Sequence, residues 1–287
     1  NIVQLRRAIT KRASTESFSR ALYDQLIKPI EALVQNATQL VIVPHGVLHY
    51  LPFPALQNAD STYLIDRHAL AFAPSATVLG FCYRKGDARR GNAFLNAASE
   101  NFRVLALGNP DVGNARFDLP FAEKEIKSIT QTFGEIESYE RKGATSSALI
   151  AGAARANLIH LSCHGVYDER NPLFSALLLA PDSTNATGRL EAHKIFGLKL
   201  NTALVMLSAC ETGLAKITGG DEVIGLNRAF IFAGTPALIA SLWTVDDLAT
   251  AITVKRFYRY LYSGLSKAEA LRQAQRFVRD HHNRHPA

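Results

Sequence analysis

The sequence predicts a layered α/β fold with a mostly parallel central sheet, and three observations lead to this prediction. Short apolar runs, ended by turn residues, recur along the chain with amphipathic helical patterns between them. These runs are continuously apolar rather than alternating, which is typical of strands that helices bury on both faces. The 287 residues are 47% apolar, which suffices for a large core.

Six apolar runs are the predicted strands, because each is too short for a buried helix of ordinary length. They are Leu40–Val43, Val104–Leu107, Leu158–Cys163, Ala176–Leu179, Ala203–Leu207 and Ala237–Leu242. The first and the third both lead into the tripeptide His-Gly-Val. Either chance or a partly decayed duplicated subdomain explains this echo.

Four helices are predicted from apolar periodicity and from end signals. They are Phe121–Phe133, Val223–Ala233, Leu248–Tyr262 and a last helix that opens at Ser266. Gly234 and Pro236 end the second helix, and Ser266 with Glu269 forms a capping box for the last one.

The chain divides into two predicted subdomains, residues 1–100 and residues 101–287. The boundary lies in residues 84–101, which are polar, contain glycine and show no period. The chain starts without Met and enters an amphipathic stretch at once. We therefore expect a fragment of a longer protein.

Charge and cysteine content exclude several classes of protein. The net charge of +7 is spread out, and the eight Lys or Arg residues in 255–287 are interpreted as solvated faces of two helices rather than as a nucleic-acid site. No phosphate-loop motif and no apolar run of 18 residues occurs, so neither nucleotide nor membrane is an expected partner. Three cysteines are too few for a disulfide framework and lack metal-ligand spacing, which indicates a reducing, cytoplasmic setting without a metal.

Two predicted strands end in residues that suit nucleophilic catalysis. Leu158–Cys163 leads into His164, and Ala203–Leu207 leads through Ser208 and Ala209 into Cys210. Groups that act on ligands lie beyond the carboxyl ends of parallel strands, so the two side chains meet if the strands are neighbours. An imidazole raises the thiolate fraction of a cysteine and later protonates a leaving amine. The N–H groups of Gly165 and Cys210 are the predicted oxyanion hole.

Other interpretations of the histidines and cysteines compete with a catalytic pair of His164 and Cys210. His45 also follows an apolar strand before a glycine and is a rival base. A lone cysteine after a strand is more often a core residue than a nucleophile, and Cys82 and Cys163 are interpreted as core. Strand alternation directs Cys163 away from the side that His164 faces. His160, inside its strand, is interpreted as a buried imidazole with satisfied hydrogen bonds.

These blocks together resemble the CHAT domain, a bacterial member of the caspase–separase group of cysteine peptidases. The resemblance covers nearly the whole chain, and its blocks include VIVPHGVLHYLPFPAL, LIHLSCHG, NPLFSALLLAP, ALVMLSACETG and GGDEVIGLNRAFIFAGTPALIASLWTVDD. The interval of 46 residues between His164 and Cys210 also suits the interval of about 50 in caspases.

The resemblance implies a caspase-like αβα sandwich with an N-terminal subdomain that resembles a peptidase but is not catalytic. It implies His164 as general base and acid, Cys210 as nucleophile, no cofactor, and a protein or peptide substrate cleaved through a thioester. His45 then falls in the non-catalytic region. Such proteins often carry an upstream tetratricopeptide repeat (TPR) region, through which a regulatory partner can gate the peptidase.

A substrate pocket is a further implication of the resemblance. The segment of residues 240–247 resembles the separase strand and loop that present an acidic residue to the substrate. The candidate pocket residues are Trp243, Asp246, Asp247 and Glu211. An acid here selects a basic substrate side chain, although Asp246 or Asp247 equally suits a helix cap and Glu211 a solvated loop.

Three functions therefore compete. The leading hypothesis is a cysteine endopeptidase, and the second is an inactive peptidase fold retained for binding. The third is a nucleotide- or nucleic-acid-binding α/β protein, which the charge favours and the absent phosphate motif disfavours.

Overall fold

The computed structural model describes residues 1–88, 102–168, 170–208, 224–243 and 245–281. Residues 1–88 form helices around a two-stranded parallel sheet. The elements are α1 (Ile2–Thr10), α2 (Glu16–Leu26), α3 (Glu31–Val34), β1 (Gln39–Ile42), α4 (Leu64–Arg67), β2 (Ala69–Phe72) and α5 (Ala76–Ala88). The side chains of Leu5, Leu22, Tyr23, Leu51 and Leu64 are fully or almost fully buried in the core of this unit.

The remaining elements form a larger sheet, a smaller sheet and their helices. The helices are α6 (Pro120–Phe133), α7 (Ser146–Ala153), α8 (Ala192–Phe196), α9 (Ile224–Ala233), α10 (Asp247–Tyr262) and α11 (Lys267–His281). The strands are β3 (Val104–Pro110), β4 (Glu137–Arg141), β5 (Leu158–Ser162), β6 (His164–Val166), β7 (Ala176–Leu178), β8 (Arg189–Glu191), β9 (Leu204–Leu207) and β10 (Leu238–Ala240). The larger sheet has the order β10-β9-β5-β3-β4, and every neighbouring pair in it is parallel.

Helices cover both faces of the larger sheet. On one face, α6, α10 and α11 pack with Leu158 and Leu204 of the central strands. On the other face, α7, α8 and α9 pack with Ile159 and Val205. Successive residues of β5 and β9 thus face opposite helical layers, as strand geometry requires. The predicted αβα sandwich with a mostly parallel sheet is confirmed.

One predicted strand lies in a different sheet from the one expected. The run Ala176–Leu179 contributes β7, which pairs antiparallel with β6 and β8 in the smaller sheet. The connection from Val166 to Ala176 is too short for the crossover that parallel pairing needs. The continuous apolar run misled the prediction because the smaller sheet is also buried here, with Ala176 and Leu177 inaccessible.

Two further details differ from the sequence predictions. β2, β4, β6 and β8 were not among the predicted strands. β4 lies at the sheet edge, and its residues ESYER alternate between half-buried and exposed. α5 extends through residue 88, so the first part of the predicted boundary 84–101 is helical. Residues 89–101, which contain the rest of that boundary, lie outside the described part of the chain, and the division at residue 100 stays a prediction.

The basic residues of α11 do more than face solvent, which corrects the interpretation of the C-terminal charge. Arg272 donates from Nε to the carbonyl of Ile65 at 2.7 Å and from Nη2 to the carbonyl of Asp66 at 2.5 Å. These carbonyls lie in the last turn of α4, where intrahelical partners run out. Arg276 and Arg279 both contact the carboxylate of Asp66, at 3.0 and 2.9 Å. These three arginines therefore connect α11 to α4 of the N-terminal unit.

Replacing Arg272 with alanine should lower the free energy of unfolding by about 2 kcal/mol, because two partly buried, charge-assisted hydrogen bonds to backbone carbonyls are lost. Urea denaturation measures this effect. Lys255→Ala, which removes the same charge from an exposed site on α10, is the matched control and should have almost no effect. Equal losses in the two variants would contradict the proposed role of this contact.

Candidate active site

His164 lies at the carboxyl end of the larger sheet, where β5 ends and β6 begins. Its ring is almost fully buried, and its Nε2 atom lies 2.9 Å from the backbone carbonyl of Phe117. Because a carbonyl oxygen only accepts, Nε2 carries the hydrogen and donates it. The Phe117 ring meets the imidazole edge to face, with centroids 5.2 Å apart. Nε2 of His164 is thus hydrogen-bonded to the loop that precedes α6.

The second ring nitrogen of His164, Nδ1, differs from Nε2 in its hydrogen bonding. Among the residues that the structure describes, Nδ1 is buried and has no hydrogen-bond partner. When the ring carries a single hydrogen, on Nε2, Nδ1 bears a lone pair. Such a nitrogen can take a proton from a nearby donor and return it.

Cys210 and Glu211 lie in residues 209–223, outside the described part of the chain. The strand that leads to them is described, and β9 is the direct neighbour of β5, with Leu207 opposite Leu161. The condition stated for the meeting of the two side chains, that their strands are neighbours, is therefore met. The approach of Cys210 to His164 stays a prediction, as does the oxyanion role of Gly165, which lies in β6 opposite Leu177.

The other two cysteines lie where burial raises the pKa of the thiol. Cys163 is fully buried in the core on the face covered by α7 to α9, and burial raises its pKa to about 12. This placement confirms its interpretation as a core residue. Cys82 on α5 is half-buried rather than core, and burial raises the pKa of its thiol as well. Little thiolate forms at either site at neutral pH.

A buried polar chain runs beneath the two strand ends. Ser208 donates from Oγ to Oε1 of Glu125 at 3.0 Å, and Oε2 of the same carboxylate lies 3.0 Å from Nε2 of His160. The other nitrogen of His160 lies 3.0 Å from the hydroxyl of Tyr258. All four side chains are almost completely inaccessible. His160 is therefore buried, as expected, and its Nδ1 is hydrogen-bonded to Tyr258, whereas its Nε2 lies close to Glu125 Oε2 without the geometry of a hydrogen bond. Glu125 was not foreseen.

The sequence does contain a signal for Glu125. It occupies a position of the apolar stripe of α6, since Ala122, Ile126 and Ile129 share its buried face. A carboxylate in such a stripe is rarely buried without a partner, so it points to a polar group on the sheet beneath. Which group this is depends on the tertiary structure.

A small cavity lies beside this chain, on the side of the sheet covered by α6 and α10. Its volume is about 10 Å³, which is about the space of one water molecule. It is lined by Leu119, Phe121, Ala122, Glu125, Ser162, Ser208, Asp247 and Thr250. Among the described residues, the cavity therefore lies between the ends of β5 and β9 and the start of α10.

The predicted pocket segment contacts the N-terminal helix. Arg6 donates to the carbonyl of Leu242 at 3.3 Å, and its guanidinium lies 5.9 Å from the centre of the Trp243 ring. Asp246 caps α10 by accepting the N–H of Ala249 at 2.9 Å, and its other oxygen lies 3.4 Å from Arg12. The helix-cap alternative is thus realised for Asp246, and pocket roles for these residues stay predictions.

His45 lies apart from the site. It is exposed and follows β1, in the two-stranded sheet rather than in the sheet that contains β5 and β9. Within the described ranges, no three His, Cys, Asp or Glu side chains are grouped suitably for a metal ion. In the same part of the chain, every helix is too short or too polar to cross a membrane.

A parallel sheet between two helical layers, with a histidine at the end of a central strand, is consistent with a caspase-like peptidase-fold domain. The chain belongs to the CHAT domain family, whose model matches residues 16–287. It is also 26% identical to Tetratricopeptide repeat protein 28 of Homo sapiens in an alignment 310 residues long. This alignment covers 90% of this chain. The Mus musculus protein of the same name gives the same identity and coverage. The chain spans 12% of the length of either relative.

Proposed function

We propose that this chain is a cysteine endopeptidase that acts through His164 and Cys210. The observation that carries the proposal is the hydrogen bonding of His164: Nε2 donates to the Phe117 carbonyl, and Nδ1 is buried without a hydrogen-bond partner among the described residues. The adjacency of β5 and β9 supports the meeting of the two residues. Membership of the CHAT family supports the same chemistry, because the family has the caspase-like peptidase fold.

In the proposed reaction, Nδ1 of His164 takes the proton of the Cys210 thiol. The thiolate attacks the scissile carbonyl, and the N–H groups of Gly165 and Cys210 stabilise the resulting oxyanion. The imidazolium then protonates the leaving amine as the carbon–nitrogen bond breaks, which leaves a thioester on Cys210. Water, deprotonated by His164, hydrolyses this thioester and restores the thiol.

The residues near α10 are proposed to select the substrate. Trp243, Asp246, Asp247 and Glu211 are the candidates, and an acidic residue among them favours an Arg or Lys side chain before the scissile bond. The 3.4 Å contact between Asp246 and Arg12 supports this idea, because it is a carboxylate–guanidinium pair of the same chemical type. A substrate arginine would then compete with Arg12.

Regulation through an upstream repeat region is part of the proposal. The relatives are named for tetratricopeptide repeats, and most of their length lies outside the region that matches this chain. We propose that such a region, or a partner bound to it, gates access to the site. A reducing compartment such as the cytoplasm suits a protein whose nucleophile is a free thiol.

The test is cleavage of a peptide and protein library by the wild type and by two cysteine variants. Cys210→Ala should abolish cleavage, whereas Cys82→Ala, the matched control, should cleave like the wild type. A peptide chloromethylketone should label Cys210 and spare Cys82 and Cys163, whose pKa values are raised. Cleavage that survives in Cys210→Ala would exclude the mechanism, and absence of both cleavage and labelling would favour a binding module with a peptidase fold.

A further inference from the structure

β3 ends in a bulge at Asn109. The pairing of β3 with β4 shifts register between Gly108 and Pro110, and Asn109 has a φ of 48°. Asparagine is one of the few residues that accept this left-handed conformation, and a bulge redirects a side chain away from the strand pattern. The Asn109 side chain is nevertheless buried, with only 3% of its surface exposed. Asn109 thus combines a left-handed backbone with a buried side-chain amide. This combination at the end of a strand needs a structural reason.

Both ends of this amide make short hydrogen bonds to the segment that leads into α6. Oδ1 accepts the backbone N–H of Leu119 at 2.8 Å, and Nδ2 donates to Oε1 of Glu123 at 2.8 Å. The two partners require opposite ends of the amide, which determines its orientation. Asn109 therefore ties the end of β3 both to the loop before α6 and to the first turn of that helix.

The loop held in this way carries the carbonyl that binds His164. Phe117 lies two residues before Leu119, and its carbonyl and ring both contact the imidazole. A second tie to this loop is the ion pair of Asp118 with Arg141 at 2.8 Å, but both side chains are about two-fifths exposed. Exposed pairs contribute little, whereas the two hydrogen bonds of the buried Asn109 amide are partly shielded from water, so the amide is the stronger tie.

We propose that Asn109 is a positioning residue that acts on His164 through the loop at Phe117. By holding the Phe117 carbonyl against Nε2, it keeps the hydrogen on that nitrogen and directs Nδ1 to the proton donor. This inference rests on the proposed function in so far as His164 is the general base. Asn109 itself touches no reacting atom.

The test measures His164 directly by NMR, on chain labelled with ¹⁵N at its histidines. The signal is assigned by its loss in His164→Gln. In the wild type, the Nε2-bound proton should exchange slowly with water, because it is buried and bonded to Phe117. Asn109→Gly keeps the left-handed backbone but removes the amide, and it should accelerate this exchange at least about tenfold and lower kcat about ten- to a hundredfold, with KM little changed.

Two further variants separate positioning from general stability. Glu123→Ala removes one partner of the amide and leaves the strand intact, so it should accelerate exchange by a smaller factor. Asp118→Asn weakens the exposed tie and should leave exchange unchanged. If Asn109→Gly fails to fold, the comparison of Glu123→Ala with Asp118→Asn carries the test.

Wild-type exchange in both Asn109→Gly and Glu123→Ala, or equal acceleration in Asp118→Asn, would overturn the positioning role. The exchange measurement needs no catalysis. Faster exchange in a chain that cleaves nothing therefore supports the positioning role and counts against the peptidase proposal, while an active chain with unchanged exchange rejects only the positioning role.

Discussion

Replacing His164 with glutamine should lower kcat/KM for a cleaved peptide by about two to four orders of magnitude. The glutamine amide retains a donor for the Phe117 carbonyl but has no lone pair that can take the thiol proton. The reaction of Cys210 with a thiol reagent at neutral pH should slow as well, since less of the cysteine is thiolate. Steady-state cleavage and the labelling rate measure the two effects.

His45→Gln is the matched control for this prediction. His45 also follows a strand and precedes a glycine, but it lies in the two-stranded sheet. Its replacement should leave both rates within about twofold of the wild type, as expected of an exposed surface change. A large loss in His45→Gln with normal activity in His164→Gln would reverse the assignment of the base.

Replacing Glu125 with alanine should lower the free energy of unfolding by about 3–5 kcal/mol. The change leaves the buried hydroxyl of Ser208 and the buried imidazole of His160 without their carboxylate partner, and it opens a void under α6. α6 lies so close to the sheet here that a Cβ on Gly108 would come within 2.5 Å of Ile126. Little room therefore exists for the helix to move inward and fill the void.

Two further variants, both measured by urea denaturation, make this prediction more specific. Glu125→Gln keeps an oxygen for Ser208 and the volume of the side chain, so it should lose only about 1–2 kcal/mol. Lys127→Ala, an exposed change on the same helix, should stay within about 0.5 kcal/mol of the wild type. A loss in Glu125→Ala no larger than that in Lys127→Ala would show that the buried chain contributes no stability.

The elements with strong local signals were predictable. The apolar run at residues 158–163 gives β5, and the periodic stretch 121–133 gives α6 to within one residue. The capping box predicted for the last helix forms in part: Ser266 accepts the N–H of Glu269, but the Glu269 carboxylate binds Arg272 instead. Tertiary competition for a charged side chain overrides the local motif there.

The two wrong predictions, on the sheet that contains β7 and on the arginines of α11, also arise from tertiary contacts. Ala176–Leu179 is a strand, but the identity of its neighbour depends on the length of the connection and on the space left in the larger sheet. The arginines of α11 follow the pattern of a solvated face, yet three of them meet α4 because the fold brings that helix alongside. Periodicity describes one element at a time and carries no information about which element lies opposite.

The sequence by itself determines six of the ten strands described, the helices that cover both faces of a parallel sheet, and the position of His164 after a buried strand and directly before Gly165. Those features follow from side-chain hydrophobicity and spacing, which are local properties. Only the tertiary structure decides that Nε2 of His164 donates to Phe117, which lies 47 residues away. The acceptor is a backbone carbonyl, and because every residue has one, its position depends on the path of the chain and on the amide of Asn109 that holds it.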